Sequence, residues 1–178
     1  AIDKVESRAD AFFVLDSSDI DDSVAQAVSN VQNLDTNYVA TYYPWVRMDD
    51  PSKSSGTVYV PPSVVIAGVY HFNDVIGQPW FAPAGFNRGG LGNLAGRSGP
   101  RVIQARQRLD SSERDKLYEV NINPIATFPN EGVVIFGQKT LQQLPSALDR
   151  INVRRLMIFL KAEISKVARN VLFDANVE

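Results

Sequence analysis

The apolar residues near the start of the chain follow the pattern of a strand, an amphipathic helix and a second strand. Residues 11–15 (AFFVL) are a continuous apolar run, which is typical of a strand covered on both faces. Residues 19–34 carry apolar side chains at helical spacing behind three acidic residues, and residues 38–43 (YVATYY) are rich in β-branched and aromatic side chains. This order predicts one right-handed βαβ unit of a parallel sheet.

The rest of the chain predicts a mixed α+β and α/β organisation. Asp110 and Glu113 have the spacing of a capping box, so a helix is expected to begin between them. The stretch of residues 77–100 is rich in glycine and proline and predicts a long loop. The remaining pattern predicts a helix over 60–75, a strand over 101–106, a helix over 110–120, a β-hairpin of 125–128 and 133–136, and a final helix over 152–172.

The predicted βαβ unit is too small to be a complete fold, and a polar segment separates it from the rest of the chain. Residues 49–57 (DDPSKSSGT) contain no apolar side chain and concentrate polar and turn-forming residues, so they are the candidate linker. They divide the chain into an N-terminal part, residues 1–48, and a C-terminal part, residues 58–178. The chain begins without a methionine and almost at once enters a strand, so we expect it to be a segment of a longer polypeptide.

Composition narrows the chemistry that the chain can perform. There are no cysteines, which excludes disulfides, thiolate metal sites and a cysteine nucleophile, and the single histidine, His71, excludes multi-histidine metal sites. A formal net charge of −2 does not predict nucleic-acid or membrane attraction, and no apolar run approaches the roughly 20 residues of a membrane span. We therefore expect no cofactor and no metal.

Residues 90–95 (GLGNLA) match the glycine pattern of dinucleotide-binding loops. Such a loop works because a strand leads into it and a helix begins at its end, so that backbone N–H groups point at the pyrophosphate. The flanking residues 83–88 and 96–100 have neither pattern. Residues 96–98 (GRS) imitate the end of a P-loop, but an arginine stands where its lysine is needed. We interpret residues 85–99 as a surface loop or a loop that faces a partner.

A catalytic triad is the other enzyme hypothesis. Ser63, His71 and Asp74 supply the residue types, but on the predicted helix Ser63 and Asp74 lie about three turns apart, too far to share one imidazole. A nucleotide-binding or hydrolytic α/β enzyme therefore stands as the alternative function.

The final helix carries the clearest surface pattern. An apolar stripe predicts its core face: Val153, Leu156, Met157, Leu160, Ile164, Val167, Ala168 and Val171. The remaining surface interleaves basic residues with apolar ones such as Ile158 and Phe159, which favours contact with an acidic protein partner over a solvated face. The candidate contact residues are Arg154, Arg155, Lys161, Lys166 and Arg169.

Six ordered blocks resemble the C-terminal part of contractile bacteriophage tail sheath proteins. They are residues 42–45 (YYPW), 60–70 (VPPSVVIAGVY), 77–84 (GQPWFAPA), 136–141 (FGQKTL), 151–156 (INVRRL) and 171–174 (VLFD). Their order and spacing match the family from about residue 38 to the end. The chain departs from the family in its FDAN ending and in a longer glycine-rich loop.

The resemblance implies a structural machine part and not an enzyme. Sheath subunits assemble as stacked six-membered rings around an inner tail tube, in the virion, and contraction drives the tube through the host envelope without a nucleotide. The resemblance makes residues 1–48 the closing part of a subtilisin-like α/β domain and residues 58–178 the C-terminal sheath domain. It places the five basic residues on a tube-facing or neighbour-facing surface, although Arg154 and Arg155 could instead form salt bridges within the domain. By itself the chain is expected to be monomeric.

Overall fold

Helices and strands alternate along the chain in a mixed fold. The structure is a computed structural model, and it describes residues 1–50, 52, 56–92 and 102–172. A short 3-10 helix, Ala147–Asp149, precedes the last helix. The elements are α1 (Ile2–Arg8), β1 (Phe13–Leu15), α2 (Val24–Val31), β2 (Val39–Tyr43), β3 (Val46–Asp49), β4 (Thr57–Val60), α3 (Pro62–Ile76), α4 (Gly85–Arg88), β5 (Val102–Ala105), α5 (Ser111–Glu119), β6 (Ile122–Phe128), β7 (Gly132–Ile135) and α6 (Ile151–Asn170).

The predicted parallel pairing of the first two strands is confirmed. β1 and β2 are parallel neighbours in a four-stranded sheet of order β1-β2-β6-β7, where β6 is also parallel to β2 and β7 is antiparallel to β6. Every residue of β2 is buried, and its side chains alternate between two cores. Val39 and Tyr43 belong to the core that includes residues of α2 and α5, whereas Ala40 and Tyr42 belong to the core that includes residues of α3 and the second sheet. β2 is thus the strand that is covered on both faces.

The first amphipathic helix is shorter than predicted. It begins at Val24 because Ser23 and Gln26 form a capping box, in which the Ser23 hydroxyl accepts from the Gln26 N–H. The expected start at Asp19 was wrong: the Asp19 N–H donates to the Asp22 carboxylate, which closes a turn before the helix. The acidic residues therefore precede the helix and do not lie in its first turn.

The two ends of the predicted linker lie on neighbouring strands of a second sheet, of order β4-β3-β5. Residues 49–57 connect β3 to β4, which pair antiparallel with Asp49 opposite Thr57. The pairing of β2 with β6 places residues from both sides of this segment in one sheet. The division of the chain into residues 1–48 and residues 58–178 stays a prediction.

Several local predictions are confirmed at residue level. The Asp110 carboxylate accepts from the Glu113 N–H at 2.8 Å, and the Glu113 carboxylate accepts from the Asp110 N–H at 3.0 Å, so α5 begins with the predicted capping box. β6 and β7 form the predicted hairpin, whose turn ends at Gly132 with a φ of 74°, a backbone conformation that favours glycine. The helix α1 was not predicted.

The glycine-rich segment is partly structured. It was predicted to be a long loop, but it contains α4, and Gly90 forms an antiparallel bridge with Val134 of β7. The Leu91 N–H donates to the Val133 carbonyl at 2.8 Å, which continues this pairing. A short helix therefore precedes the glycine motif where a dinucleotide loop would need a strand. The rest of the motif, residues 93–95, lies outside the described residues, as do residues 96–101.

Candidate interaction surface on the last helix

The first half of α6 is anchored in the body of the chain. Ile151 is fully buried in the core next to α3, and its N–H donates to the Gln138 carbonyl at 2.9 Å. About two turns later the Phe159 ring packs against Trp80 with ring centroids 5.5 Å apart, and the Asn152 amide donates to the Trp80 carbonyl. These contacts hold residues 151–159 against the α3–α4 connection.

Arg155 ties α6 to α3 and, through it, to the central strand. Its guanidinium donates to both carboxylate oxygens of Asp74 at 2.7 Å and lies 4.7 Å from the centre of the Tyr70 ring. The Tyr70 hydroxyl is 2.7 Å from that of Tyr42 on β2. Burial raises the pKa of both hydroxyls above the ordinary value. Arg155 is therefore engaged in an internal salt bridge.

Arg154 is the most deeply placed of the five candidate residues. It is 7% exposed, donates to the Asn37 side-chain oxygen and lies 4.1 Å from the centre of the Tyr38 ring. Burial lowers the pKa of its guanidinium, because desolvation disfavours the charged form. Its hydrogen bond and its ring contact are both made within the chain.

The second half of α6 has the opposite character. From Leu160 to Leu172 every residue is exposed except the half-buried Glu163. Lys161, Lys166 and Arg169 all lie on this half, and the Lys166 ammonium pairs with Glu163 at 2.6 Å. The five predicted residues are thus split into two internal arginines and three exposed basic residues.

The stripe predicted to be the core face of α6 lies largely outside the core. Five of its members are between 40% and 65% exposed: Met157, Leu160, Ile164, Val167 and Val171. The prediction was wrong because helical periodicity reports which residues share a face and not whether another element covers that face. The described part of the chain leaves the stripe uncovered beyond the first half of the helix.

The residues of the triad hypothesis do not meet. The Ser63 hydroxyl donates to Asp16 at 2.5 Å, Asp74 is paired with Arg155, and His71 is exposed on α3. Among the described residues no group of three or more His, Cys, Asp or Glu could hold a metal ion. No helix of the described part is long and apolar enough to cross a membrane.

Relatives of known identity decide the family. No protein-family model matches the chain. The chain is 38% identical over 163 residues to the tail sheath protein of Vibrio phage KVP40, covering 89% of this chain and 22% of that protein. It is 39% identical over 118 residues to the tail sheath protein of Enterobacteria phage T4, covering 66% of this chain and 17% of that protein. The chain belongs to the tail sheath family.

The fold of this sheath chain agrees with the assignment. It superposes on the sheath of an extracellular contractile injection system, the PVC sheath complex in the contracted state, with a TM-score of 0.72 and 26% identity. The match covers 92% of this chain and 42% of that one. The predicted mixture of helices and strands is confirmed, and the alternative of a nucleotide-binding or hydrolytic enzyme is not supported.

The blocks that resemble the sheath family converge around the base of α6. Tyr42 from the first block, Tyr70 from the second and Arg155 from the fifth form the buried network described above, and Trp80 from the third packs on the same helix. Sequence reasoning considered Asp74 only as a member of a triad and missed it as the partner of Arg155. Asp74 is the only acidic residue within α3, and this isolated carboxylate was the feature of the sequence that could have indicated a basic partner.

Proposed function

We propose that this chain is part of a structural subunit of a contractile phage tail sheath. The observation that carries the proposal is the 38% identity to a tail sheath protein over 89% of the chain. The chain spans about a fifth of the length of the curated relatives it matches. The subunit would assemble in the host cytoplasm into six-membered rings stacked around the inner tail tube, and contraction of this lattice in the virion would drive the tube through the host envelope.

Within that subunit, we assign residues 1–48 to the closing part of the subtilisin-like α/β domain and residues 58–178 to the C-terminal sheath domain. The parallel pairing of β1 with β2 across α2 supports the first assignment, because such a unit is the building block of α/β domains. Contraction would move these parts as nearly rigid bodies while contacts between subunits change, so no nucleotide and no cofactor is needed.

The exposed half of α6 is the proposed contact with the inner tube or with a neighbouring subunit. Lys161, Lys166 and Arg169 supply exposed positive charge, which suits an acidic partner and a salt-dependent contact. Arg154 and Arg155 serve the same surface indirectly, because their buried contacts with Asn37 and Asp74 fix the direction in which the helix leaves the body.

Charge reversal in the longer sheath protein tests this contact. Lys161→Glu combined with Arg169→Glu should weaken co-assembly of sheath and tube in a co-sedimentation assay, and raised salt should weaken the wild-type contact in the same direction. Lys116→Glu on α5 is the matched control, because it reverses an exposed charge far along the chain from α6. Unaltered co-assembly of the double variant would contradict the contact.

The isolated 178-residue chain provides a second test. We propose that it is monomeric, and sedimentation that detects regular tubes would contradict this. A thermal-shift screen with ATP and NAD addresses the enzyme alternative: we expect no change in Tm, whereas stabilisation at micromolar nucleotide would revive it.

A further inference from the structure

Four exposed apolar residues of α6, and Val171 that caps it, follow a strict alternation of three- and four-residue steps. We call Met157, Leu160, Ile164, Val167 and Val171 the α6 seam. Their spacing puts them at the a and d positions of successive heptads, the narrow stripe by which helices pair in coiled coils. An isolated apolar side chain on a helix needs no explanation, but five in register over four turns form a continuous surface.

The second half of α6, which carries most of the seam, is not packed against the rest of the described chain. The residues of α6 from Leu160 onward are exposed apart from Glu163, and the hydrogen bonds that their side chains make are local, such as Ser165 to the Lys161 carbonyl at 2.7 Å. Helices of about 12 to 15 residues or fewer are marginal in water without tertiary packing. The second half of α6 therefore draws little stability from tertiary packing within the described chain, and an element that covers the seam would supply it.

The charges that flank the seam point to another helix as that element. Lys161 occupies an e position on one side of the seam and Glu163 a g position on the other, so the two borders carry opposite charge. Lys166 and Arg169 fall at c and f positions, away from the seam. A uniformly acidic partner would suit the c and f face but would repel Glu163. A helix with charges of both signs beside an apolar seam suits both borders.

The length of the sheath relatives indicates where this helix comes from. This chain spans 22% of one curated sheath protein and 42% of one solved sheath chain, so more than half of each lies outside the matched region. A helix in the same polypeptide would meet the seam at an effective concentration on the order of millimolar, which favours it over a separate molecule.

We propose that the α6 seam is covered by an amphipathic helix of the same sheath polypeptide, one that lies outside these 178 residues. The inference rests on the proposed function only in that it requires the longer sheath polypeptide; it does not require contact with the tube. It leaves the c and f face of α6, with Lys166 and Arg169, free for the intermolecular contact, and Lys161 lies on the border between that face and the seam.

Amide hydrogen exchange tests the proposal without any substitution. The amides of residues 160–170 should exchange at least about a hundredfold more slowly in the unassembled longer sheath subunit than in the 178-residue chain, because only the former would bury the seam. The amides of residues 151–159 serve as the internal control and should be protected in both. Equal exchange of residues 160–170 in the two proteins would overturn the proposal.

Paired substitutions test which element covers the α6 seam. Leu160→Ser with Ile164→Ser should lower the Tm of the unassembled longer subunit by several degrees and leave that of the 178-residue chain unchanged. Ala162→Ser on the opposite face should have little effect in either.

Two outcomes would contradict covering by the same polypeptide. One is an unchanged Tm of the longer subunit with loss of tube binding, and the other is a concentration-dependent dimer of the 178-residue chain that the double variant abolishes. Assembly of wild-type sheath tubes, seen by electron microscopy, separately tests the proposed function.

Discussion

The two halves of α6 have similar sequence patterns and different surroundings. Both carry apolar residues at helical spacing together with arginine or lysine. In the first half Ile151 and Arg154 are buried and Arg155 is paired with Asp74, whereas in the second half the apolar and basic residues are exposed. One helix can therefore be packed against the body of the chain over two turns and exposed over the next three. No change in its sequence pattern marks the boundary.

The boundary is set by the neighbours of the helix. Tyr70 and Asp74 of α3, together with Trp80 after it, pack against residues 151–159. Beyond Phe159 the helix extends past these partners. Matched substitutions in the two halves test this difference, because they should affect stability in the anchored half and have little effect in the extended half.

The largest effect is expected from truncation of the anchor. Ile151→Ala should lower the free energy of unfolding of the 178-residue chain by about 2–5 kcal/mol, because it leaves a cavity at a fully buried position. Ile164→Ala is the matched control and should change it by less than about 0.5 kcal/mol, since Ile164 is 65% exposed. Urea denaturation measures both. Similar costs for the two variants would mean that the second half is packed in the isolated chain.

A smaller effect is expected from the two ion pairs. Asp74→Asn should cost about 1–3 kcal/mol, because Arg155 is 11% exposed and would lose its charged partner. Glu163→Gln removes the exposed pair with Lys166 and should cost less than about 0.5 kcal/mol. Thermal unfolding of the two variants, each an acid-to-amide change on one salt bridge, compares the two halves directly. A large loss of stability for Glu163→Gln together with no loss for Asp74→Asn would contradict the assignment of the anchor to the first half.

Alkaline pH should destabilise the body of the chain, on which α6 is anchored, through its buried tyrosines. Burial raises the pKa of Tyr42 and Tyr70 above the ordinary value and that of Tyr43 to about 12. The folded state therefore keeps protons that the unfolded state loses above about pH 10, so stability is full below pH 10 and falls as pH rises through about 12. Neither half of α6 contains a tyrosine, but Tyr70 reaches the first half through its ring contact with Arg155.

Urea denaturation between pH 9 and pH 12 measures this loss, and Tyr43→Phe should make it shallower. A stability that is constant over this range would show that the tyrosines titrate alike in the folded and unfolded states.

The smallest effect on stability is expected from the basic residues of the second half. Lys161→Glu with Arg169→Glu should change the free energy of unfolding of the 178-residue chain by less than about 0.5 kcal/mol, because both side chains are exposed. The same pair is expected to weaken co-assembly in the longer protein. Circular dichroism during thermal unfolding checks the first statement, and a large loss of stability would mean that these residues hold the fold.

Much of the fold could be predicted where the cause is local. The capping box of Asp110 and Glu113, the hairpin that turns at Gly132 and the alternation of strand and helix before Tyr43 are each encoded within a few residues. The start of α2 was misplaced because acidic residues favour a helix N-terminus in general. The helix begins instead after Ser23, whose side chain caps it.

The candidate site depended on contacts that are distant in sequence. The salt bridge of Arg155 spans 81 residues and the hydrogen bond of Arg154 spans 117, so no local pattern could show that these two arginines are internal. The stripe does lie on one face of the helix, but periodicity could not show that most of this face is exposed, because burial depends on elements that are distant in sequence. The relatives supply the family, and the contacts of α6 divide its surface into an anchor, a seam and a basic face.

A cryo-EM reconstruction of the sheath formed by the polypeptide that contains this chain tests the central claim most directly. We expect a helical lattice around a tube, with residues 151–159 packed on α3, the α6 seam covered by a helix of the same subunit, and Lys166 and Arg169 facing a tube or a neighbouring subunit. A lattice in which residues 160–172 face solvent on every side, or in which another subunit fills the seam, would contradict it.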